Sequence, residues 1–324
     1  MQKQHQEAGL KAVEKPSVGA LAHPYSMPAI GALHCVWPAG AELGEGLLWS
    51  VREQALYWVD ILGCRLHRFD PVSGVQASWT FAEEISALAE RVQAPGLIVT
   101  LRRGFALFDP ATGGAPRYLH QPEPGLATNR FNDGKCDAQG RFWGGTMDFA
   151  CEAPSGALYR YDPDGQCTRH EQGFAVTNGP TWSQMDGRLY LYFNDTVNGH
   201  TYRYDCDPDT GTLSNRRLWN AFAADEGVPD GMTTDAMGRL WIAHWGGACV
   251  TCHDPVTARE LGRVTLPTRH VTNCTFGGPD LRTLFISTAC TGLTRQQLEA
   301  EPLAGGVFAV LVSSPGLPAN LFGG

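Results

Sequence analysis

Two acidic and three amide residues recur along this chain in positions that could together hold a divalent cation. They are Glu45, Asn132, Asn178, Asp230 and Asn273. Carboxylate and amide oxygens, with no His or Cys among them, form a hard set of ligands that suits Ca²⁺, Mg²⁺, Mn²⁺ or Zn²⁺. Because the first and last of these residues are 228 positions apart, the fold has to bring distant parts of the chain together.

The stretches that begin with these residues belong to a sixfold repeat. Its openings are Glu45-Gly46, Ser86-Ala87-Leu88, Asn132-Asp133-Gly134, Asn178-Gly179, Asp230-Gly231 and Asn273-Cys274, at successive spacings of 41, 46, 46, 52 and 43 residues. A strand-like apolar run follows each opening, as in Phe142-Trp143 and Leu240-Trp241. A period of roughly 40 to 50 residues built from short strands is typical of propeller blades. We therefore predict an all-β fold, a six-bladed β-propeller, with the openings facing one channel mouth.

A purely structural interpretation of the openings has to be weighed against a metal site. Asn-Gly and Asp-Gly are the strongest hairpin-turn dipeptides, so Asn178-Gly179 and Asp230-Gly231 could be turns and nothing else. Two features favour a site. Glu45-Gly46 occupies the same repeat position without being a turn signal, and the blades have other turns, such as Asp70-Pro71 and Asp207-Pro208.

The ends of the repeat predict how the ring closes. We expect His34 to Trp37 to pair with the strand at Gly306 to Val312, because propellers often join strands from both termini in one blade and so remove a free sheet edge. The expected organisation is an N-terminal extension at residues 1–33, as a tail or surface wrap, a propeller domain at 34–312 and a C-terminal tail at 313–324.

The amino-acid composition limits the classes of molecule that this protein is expected to bind. A formal net charge of -8 without basic clusters argues against nucleic acid, and small molecules or cations fit better. No apolar run is long enough to span a bilayer and no signal peptide is recognisable, so we expect no membrane partner and a cytoplasmic location.

Cysteine and histidine give weaker signals. The ten cysteines are scattered through the chain, and we interpret them as free thiols. The pair Cys249 and Cys252 lacks a second pair, which favours a structural role. His244 lies at the end of a predicted strand and could face the channel, although a structural histidine is the preferred interpretation.

Several motifs in series resemble the senescence-marker-protein, gluconolactonase and regucalcin family. They are Leu43-Gly44-Glu45-Gly46, Asn129 to Lys135, Gly144-Gly145-Thr146-Met147, Thr177-Asn178-Gly179-Pro180, Pro229-Asp230-Gly231 and Phe276 to Asp280. The resemblance covers residues 36 to 312 in the same order. Trp245-Gly246-Gly247 and Phe276 to Leu281 look most like the bacterial sugar lactonases that act on aldono-lactones.

This resemblance implies a hydrolase with one catalytic divalent cation, Ca²⁺, Zn²⁺, Mg²⁺, Mn²⁺ or Fe(II). By matching motif, Glu45, Asn178 and Asp230 would ligate the metal, Asp230 would also be the general base, and Arg130 and Asn132 would bind the substrate. Mammalian members carry a sugar-binding Glu shortly after Gly-Thr-Met. This chain lacks it there, so that contact is either missing or displaced to Asp148 or Glu152.

The expected reaction is metal-dependent hydrolysis of a sugar lactone, such as a glucono-, arabinono- or xylonolactone, to the sugar acid. The chain has no G-x-S-x-G segment, so a serine nucleophile is not expected. Three alternatives stay open: a non-enzymatic calcium-binding propeller, a hydrolase resembling phosphotriesterases or arylesterases, and a propeller scaffold for protein partners, which would need an exposed apolar patch.

Overall fold

The fold is built from six small sheets around one axis. The computed structural model describes residues 25–324, which form six four-stranded antiparallel sheets. The innermost strand of each sheet contacts the innermost strands of the sheets before and after it, and the sixth contacts the first. This arrangement confirms the predicted six-bladed β-propeller.

The strands are numbered in chain order. The first half of the chain contains β1 (His34–Trp37), β2 (Gly44–Ser50), β3 (Ala55–Asp60), β4 (Arg65–Phe69), β5 (Gln76–Thr80), β6 (Ile85–Glu90), β7 (Leu97–Leu101), β8 (Gly104–Phe108), β9 (Arg117–His120), β10 (Asn129–Cys136), β11 (Phe142–Asp148) and β12 (Gly156–Tyr161). The second half contains β13 (Cys167–Phe174), β14 (Thr177–Met185), β15 (Arg188–Asp195), β16 (His200–Cys206), β17 (Leu213–Ala221), β18 (Val228–Thr234), β19 (Leu240–Trp245), β20 (Cys249–His253), β21 (Glu260–Thr265), β22 (Val271–Gly277), β23 (Thr283–Thr288) and β24 (Val307–Leu311). Two short helices, a 3₁₀ turn at Ala224–Glu226 and α1 at Arg295–Ala300, lie in the loops.

Blades one to five consist of consecutive strands, whereas blade six is completed by the first strand of the chain. Its order is β1-β24-β23-β22, with His34 opposite Ala309 and Cys35 opposite Phe308. The predicted closure of the ring is therefore confirmed. The Asp-Pro segments also lie where they were predicted, for example Asp70-Pro71 between β4 and β5.

The apolar core lies between neighbouring blades rather than at the axis. Trp49 of blade one stacks on Phe285 of blade six, with ring centroids 5.6 Å apart. Similar clusters fill the spaces between the other blades, because each sheet has two faces and buries both against its neighbours. Both polar and apolar side chains of the inner strands face the axis, among them Lys135, Thr181, Leu48 and Leu88.

Both ends of the described chain lie against the propeller. Residues 25–33 run alongside blades five and six. The Gly31 N–H donates to the Leu311 carbonyl, and the side chain of Arg239 donates to the Ser26 carbonyl. Residues 313–324 cross the channel end opposite the openings: the Ala236 N–H donates to Pro315 on one side. Residues 1–24 of the predicted extension at 1–33 lie outside the described residues. Among the residues described, no helix is long and apolar enough to cross a membrane.

Candidate functional site

The openings of the repeat form the mouth of the channel. Each lies at the start of an inner strand, β2, β6, β10, β14, β18 or β22. In all six strands the pairing register shifts beside the opening, which marks a β-bulge. A bulge redirects side chains that a regular strand would alternate between its two faces. The interpretation of Asn178-Gly179 and Asp230-Gly231 as simple hairpin turns is therefore wrong, since both lie within strands.

Close packing at the mouth depends on glycine at two openings. Gly46 has φ of +57°, a conformation that side-chain-bearing residues rarely adopt. Gly231 has an ordinary φ, but a Cβ there would collide with the side chain of Asn273. The two glycines let the inner strands approach closely enough for Glu45 and Asp230 to meet Asn273.

Two acidic side chains and one amide form one side of the mouth. Nδ2 of Asn273 donates to Oε2 of Glu45 over 2.7 Å. The carboxyl group of Asp230 lies within hydrogen-bonding reach of Glu45. All three residues are buried, with Glu45 only 2% exposed. The structure thus brings together two of the predicted metal ligands and the opening residue Asn273.

The third predicted ligand, Asn178, is oriented by its own hydrogen bonds. Its Nδ2 donates to Oγ1 of Thr196 over 2.9 Å, and that hydroxyl in turn donates to the Pro229 carbonyl over 2.8 Å. Because the amide nitrogen is held by Thr196, Oδ1 is directed the other way, toward Asn132, whose Nδ2 lies 3.0 Å from it. Hydrogen bonds of this kind set the direction in which a ligand oxygen points.

Arg130 and Asn132 form the opposite side of the mouth. The Nη1 of Arg130 donates to Oδ1 of Asn132 over 2.6 Å and to the Phe131 carbonyl over 3.0 Å. Arg130 forms no salt bridge with any residue in the described part of the chain. Burial lowers the pKa of its guanidinium to about 10, which leaves it charged at neutral pH.

Asp133 also lies at the mouth, although the sequence motif that contains it predicted no role for it. Its carboxylate accepts the Gly134 N–H at 2.7 Å and the Gly179 N–H at 3.0 Å, and Oδ2 lies 3.5 Å from Nδ2 of Asn273. It therefore joins the inner strands of blades three, four and six. The Asn-Asp-Gly opening contained the signal, but the bulge that turns both Asn132 and Asp133 inward is not visible in the sequence.

The electrostatics of the mouth are unfavourable for three ionised carboxylates. Burial raises the pKa of Glu45 well above its usual range, and the charges of Asp230 and Asp133 raise it further. Burial, followed by the charge of Asp133, has the same effect on the pKa of Asp230. The pKa of Asp133 is also raised by burial, although the charge of Lys135 opposes this shift. Like charges sharing a site disfavour ionisation of one another.

These residues fit a divalent cation. Buried charges are normally paired with an opposite charge or coordinate a metal, yet Glu45, Asp133 and Asp230 form no salt bridge within residues 25–324. Oδ1 of Asn273 is buried without a hydrogen-bond partner. The described residues contain no group of three His, Cys, Asp or Glu side chains arranged as metal ligands. The predicted ligands Glu45, Asp230 and the amide oxygen of Asn178 are the groups that could hold a cation here.

The segment after Gly-Thr-Met shapes the rim of the mouth. Asp148 accepts the backbone N–H groups of Glu152 and Ala153, at 3.1 and 2.9 Å, so its carboxylate closes a turn. These hydrogen bonds lower its pKa, with that of Ala153 contributing most. Glu152 is exposed. The ring of Phe149, which is 40% exposed, instead lies 5.7 Å from the guanidinium of Arg130.

His244 and the Cys249 pair both lie in the middle strands of blade five, in β19 and β20. His244 is buried, its Nε2 lies 2.7 Å from the Thr251 hydroxyl, and its ring packs edge-on against Phe222. Burial lowers its pKa to about 4, so it stays neutral near pH 7. Cys249 and Cys252 are buried in β20, and all ten cysteines are free.

A cavity of about 280 Å³ lies along the axis beneath the mouth. Asp133 and Asn273 line its upper end, Lys135 and several threonines its walls, and residues 317–320 of the C-terminal segment its lower end. The Nζ of Lys135 donates to the Met232 carbonyl, which holds the lysine ammonium group across the channel. Glu45 and Asp230 are not among the residues that line this cavity.

Comparison with known proteins agrees with this fold. Residues 43–290 match the sequence model of the SMP-30/Gluconolactonase/LRE-like region. The 6-deoxy-6-sulfogluconolactonase of Pseudomonas putida is 39% identical over 293 residues, 90% of this chain and 99% of that protein. The pentonolactonase of Haloferax volcanii is 37% identical over 250 residues, 76% of this chain and 81% of that protein.

A solved structure extends the similarity to three dimensions. The calcium-binding protein regucalcin from Agrobacterium tumefaciens superposes with a TM-score of 0.85 at 27% identity, over 90% of this chain and 97% of that one. The chain belongs to the SMP-30/gluconolactonase/LRE-like family, as its motifs indicated.

Proposed function

We propose that this protein is a metal-dependent lactonase that opens an aldono-lactone to the corresponding sugar acid. The observation that carries the proposal is the pairing of two different surfaces at one mouth. One side holds Glu45 and Asp230, buried without a basic partner among the described residues. The other holds Arg130, whose guanidinium presents polar donors and is braced by Asn132. Relatives named as lactonases support this choice of reaction.

The acidic side supplies the cation site and the base. When bound, a divalent cation supplies Lewis-acid chemistry, which offsets negative charge on an acyl oxygen. Asp230 accepts the proton of the attacking water as the new C–O bond forms, and general-base help of this kind is typically worth about 10²- to 10⁴-fold. The ring C–O bond then breaks, and the same proton passes from Asp230 to the departing ring oxygen.

The opposite side holds the substrate. Arg130 is fixed by Asn132 and the Phe131 carbonyl, so its remaining N–H groups are directed without further loss of side-chain freedom toward hydroxyl or ring oxygens. Asn132 is itself held by the Thr177 carbonyl over 2.8 Å. Its second N–H donates to Oδ1 of Asn178, so Asn132 acts here by holding Arg130 in place. A guanidinium held in this way orients a polyol for attack, which is a large part of catalysis in positioned reactions.

A calcium-binding protein without enzymatic activity is the second candidate. It is favoured by the similarity to a regucalcin structure described as a calcium-binding protein. Such a protein would use Glu45, Asn178 and Asp230 in the same way, but it would have no use for the charged, unpaired Arg130. The presence of Arg130 at the mouth favours the lactonase.

Hydrolysis of a panel of substrates tests the proposal. Glucono-, arabinono- and xylonolactone, an aryl ester and a phosphotriester would each be assayed after chelation and after adding back Ca²⁺, Mg²⁺, Mn²⁺, Zn²⁺ or Fe(II). We expect opening of at least one sugar lactone that disappears on chelation. Activity confined to the ester or phosphotriester, or no activity with any cation, would reject the lactonase.

A further inference from the structure

Two guanidinium groups meet on one exposed aromatic ring at the rim of the mouth. Cζ of Arg102 lies 5.0 Å from the ring centroid of Phe149, and Cζ of Arg130 lies 5.7 Å from the same centroid. The Phe149 N–H donates to the Thr128 carbonyl over 2.9 Å, which holds the backbone that carries the ring. Two cations held near one ring repel each other, so the arrangement favours a ligand that brings negative charge.

The positive charge of this pair is only weakly compensated. Arg130 has no salt bridge in residues 25–324, and its Nη1 bonds neutral oxygens. Arg102 approaches Glu84 at 3.4 Å and the Ala127 carbonyl at 3.3 Å, both long contacts on a side chain that is 35% exposed. A single contact of this length contributes little energy, so the other N–H groups of Arg102 remain available to a ligand.

The position of the pair relates it to the proposed reaction. Glu45 and Asp230 belong to blades one and five, whereas Arg102 lies in the β7–β8 turn of blade two and Phe149 in the β11–β12 connection of blade three. The Phe131 N–H donates to the Arg102 carbonyl over 3.1 Å and so ties the turn to β10. A lactone whose carbonyl faces Asp230 would direct its opposite end toward Arg102 and Phe149.

We propose that Arg102, Arg130 and Phe149 form a subsite for an anionic group on the end of the substrate remote from the lactone carbonyl. The inference rests on the proposed lactonase function and names its substrate class: a sugar lactone that carries a sulfonate, phosphate or carboxylate. Guanidinium groups bind all three through charge-assisted hydrogen bonds, and the Phe149 ring covers the apolar carbon next to the charge.

Arg103 provides a matched control within the same turn. It has the same charge and is more exposed, but it pairs with both carboxylate oxygens of Glu83, at 3.3 and 3.4 Å. Its guanidinium lies 5.4 Å from the ring of Tyr118 rather than from Phe149. A long-range effect of charge would involve both arginines equally, whereas a subsite involves Arg102 alone.

The test compares neutral and anionic lactones in variants of the two arginines. Gluconolactone would be the neutral substrate, and its 6-deoxy-6-sulfo, 6-phospho and 6-carboxylate counterparts the anionic ones. In Arg102→Met we expect the ratio of kcat/KM for the preferred anionic lactone over gluconolactone to fall by about 10- to 100-fold, the range for a charge-assisted hydrogen bond. Arg103→Met should keep the wild-type ratio, and Phe149→Leu should lower it by less than Arg102→Met.

A binding measurement separates this proposal from the proposed function. Calorimetric titration with the open acid 6-deoxy-6-sulfogluconate, compared with gluconate, needs no turnover. Preferential binding of the sulfonated acid that weakens in Arg102→Met supports the subsite even if no lactone is opened, in which case the lactonase alone fails. Equal binding of both acids, or equal losses in Arg102→Met and Arg103→Met, would overturn the subsite and leave the lactonase standing.

Discussion

Buried carboxylates occur at both ends of the same inner strands of this propeller, five residues or fewer apart in sequence, and the two ends differ. In blade five, Asp230 lies at the mouth and Asp235 just beyond the far end of β18. Asp235 accepts hydrogen bonds from Nε of Arg239 at 2.7 Å and Nε1 of Trp241 at 3.0 Å, besides two backbone N–H groups. Asp230 has no such cationic partner among the described residues.

Blade three repeats the contrast. Asp137, beyond the end of β10, accepts Nε of Arg141 at 2.6 Å and Nε1 of Trp143 at 2.8 Å. Asp133, at the mouth, is 1% exposed, yet the nearest cation, Lys135, forms no salt bridge with it. The carboxylates at both ends of these strands are therefore buried. Those at the far end are paired with an arginine, whereas those at the mouth form no salt bridge within the described residues. Carboxylates at the far end hold the fold, whereas under the proposed function those at the mouth would bind a metal ion.

The largest effect is expected from Asp230→Asn. The amide can still ligate a metal but cannot accept a proton, so turnover of the preferred lactone should fall by about 10²- to 10⁴-fold. Stability of the metal-free protein should be unchanged or higher, because a buried charge near Asp133 has been removed. Steady-state kinetics and denaturant unfolding measure the two effects, and near-wild-type turnover would show that Asp230 is not the base.

The opposite result is expected from Asp235→Asn. This change leaves the buried guanidinium of Arg239 without its counter-charge, and breaking one partner of a buried ion pair typically lowers the free energy of unfolding by about 3 to 5 kcal/mol. Activity per folded molecule should be retained. If Asp235→Asn and Asp230→Asn shifted stability in the same direction, the distinction between the two ends would be wrong.

Cation binding should stabilise the folded protein. A ligand that binds only the native state adds about 2.7 kcal/mol to the free energy of unfolding at a concentration of 100 Kd. Thermal unfolding after chelation and after adding back each cation measures this gain. Glu45→Gln, which removes one charge with little change in shape, should reduce the gain, whereas a stabilisation that persists unchanged in Glu45→Gln would place the cation elsewhere.

The smallest effect is a pH dependence of the metal-free protein. Because burial raises the pKa values of Glu45 and Asp230, the native state keeps protons that the unfolded chain releases. The free energy of unfolding should therefore fall as pH rises from the usual carboxyl range toward the raised values. Urea titrations at several pH values measure the slope, which should become shallower in Asp230→Asn. A stability that rises over this interval would contradict the assigned shifts.

The sequence predicted the parts of this molecule that repeat. Periodic openings and apolar runs determine where β2, β10 and β18 begin, because a blade needs the same strand pattern each time. The closing pair of β1 and β24 followed from the need to remove a sheet edge. Glu45 and Asp230 could be placed together for the same reason, since equivalent repeat positions share one axis.

The parts that do not repeat could not be predicted in this way. Asp133 faces the channel only because of a bulge, whose register depends on the partner strand. Asp148 closes a turn through backbone contacts of a loop that has no periodic signal. The arginine pair around Phe149 joins a turn of blade two to a loop of blade three, a contact that neither stretch of sequence encodes alone.

Calorimetric titration of the chelated protein with Ca²⁺, Mg²⁺, Mn²⁺ and Zn²⁺ tests the cation site at the mouth most directly. Glu90 is a suitable control, because it is also a buried glutamate but lies at the far end of β6, where the Ser50 hydroxyl donates to it over 3.0 Å. We expect one cation per chain in the wild type and in Glu90→Gln, and affinity at least about tenfold weaker in Glu45→Gln, the equivalent of 1.4 kcal/mol. No binding of any of the four cations, or equal affinity in Glu45→Gln and Glu90→Gln, would contradict a metal site formed by Glu45, Asn178 and Asp230.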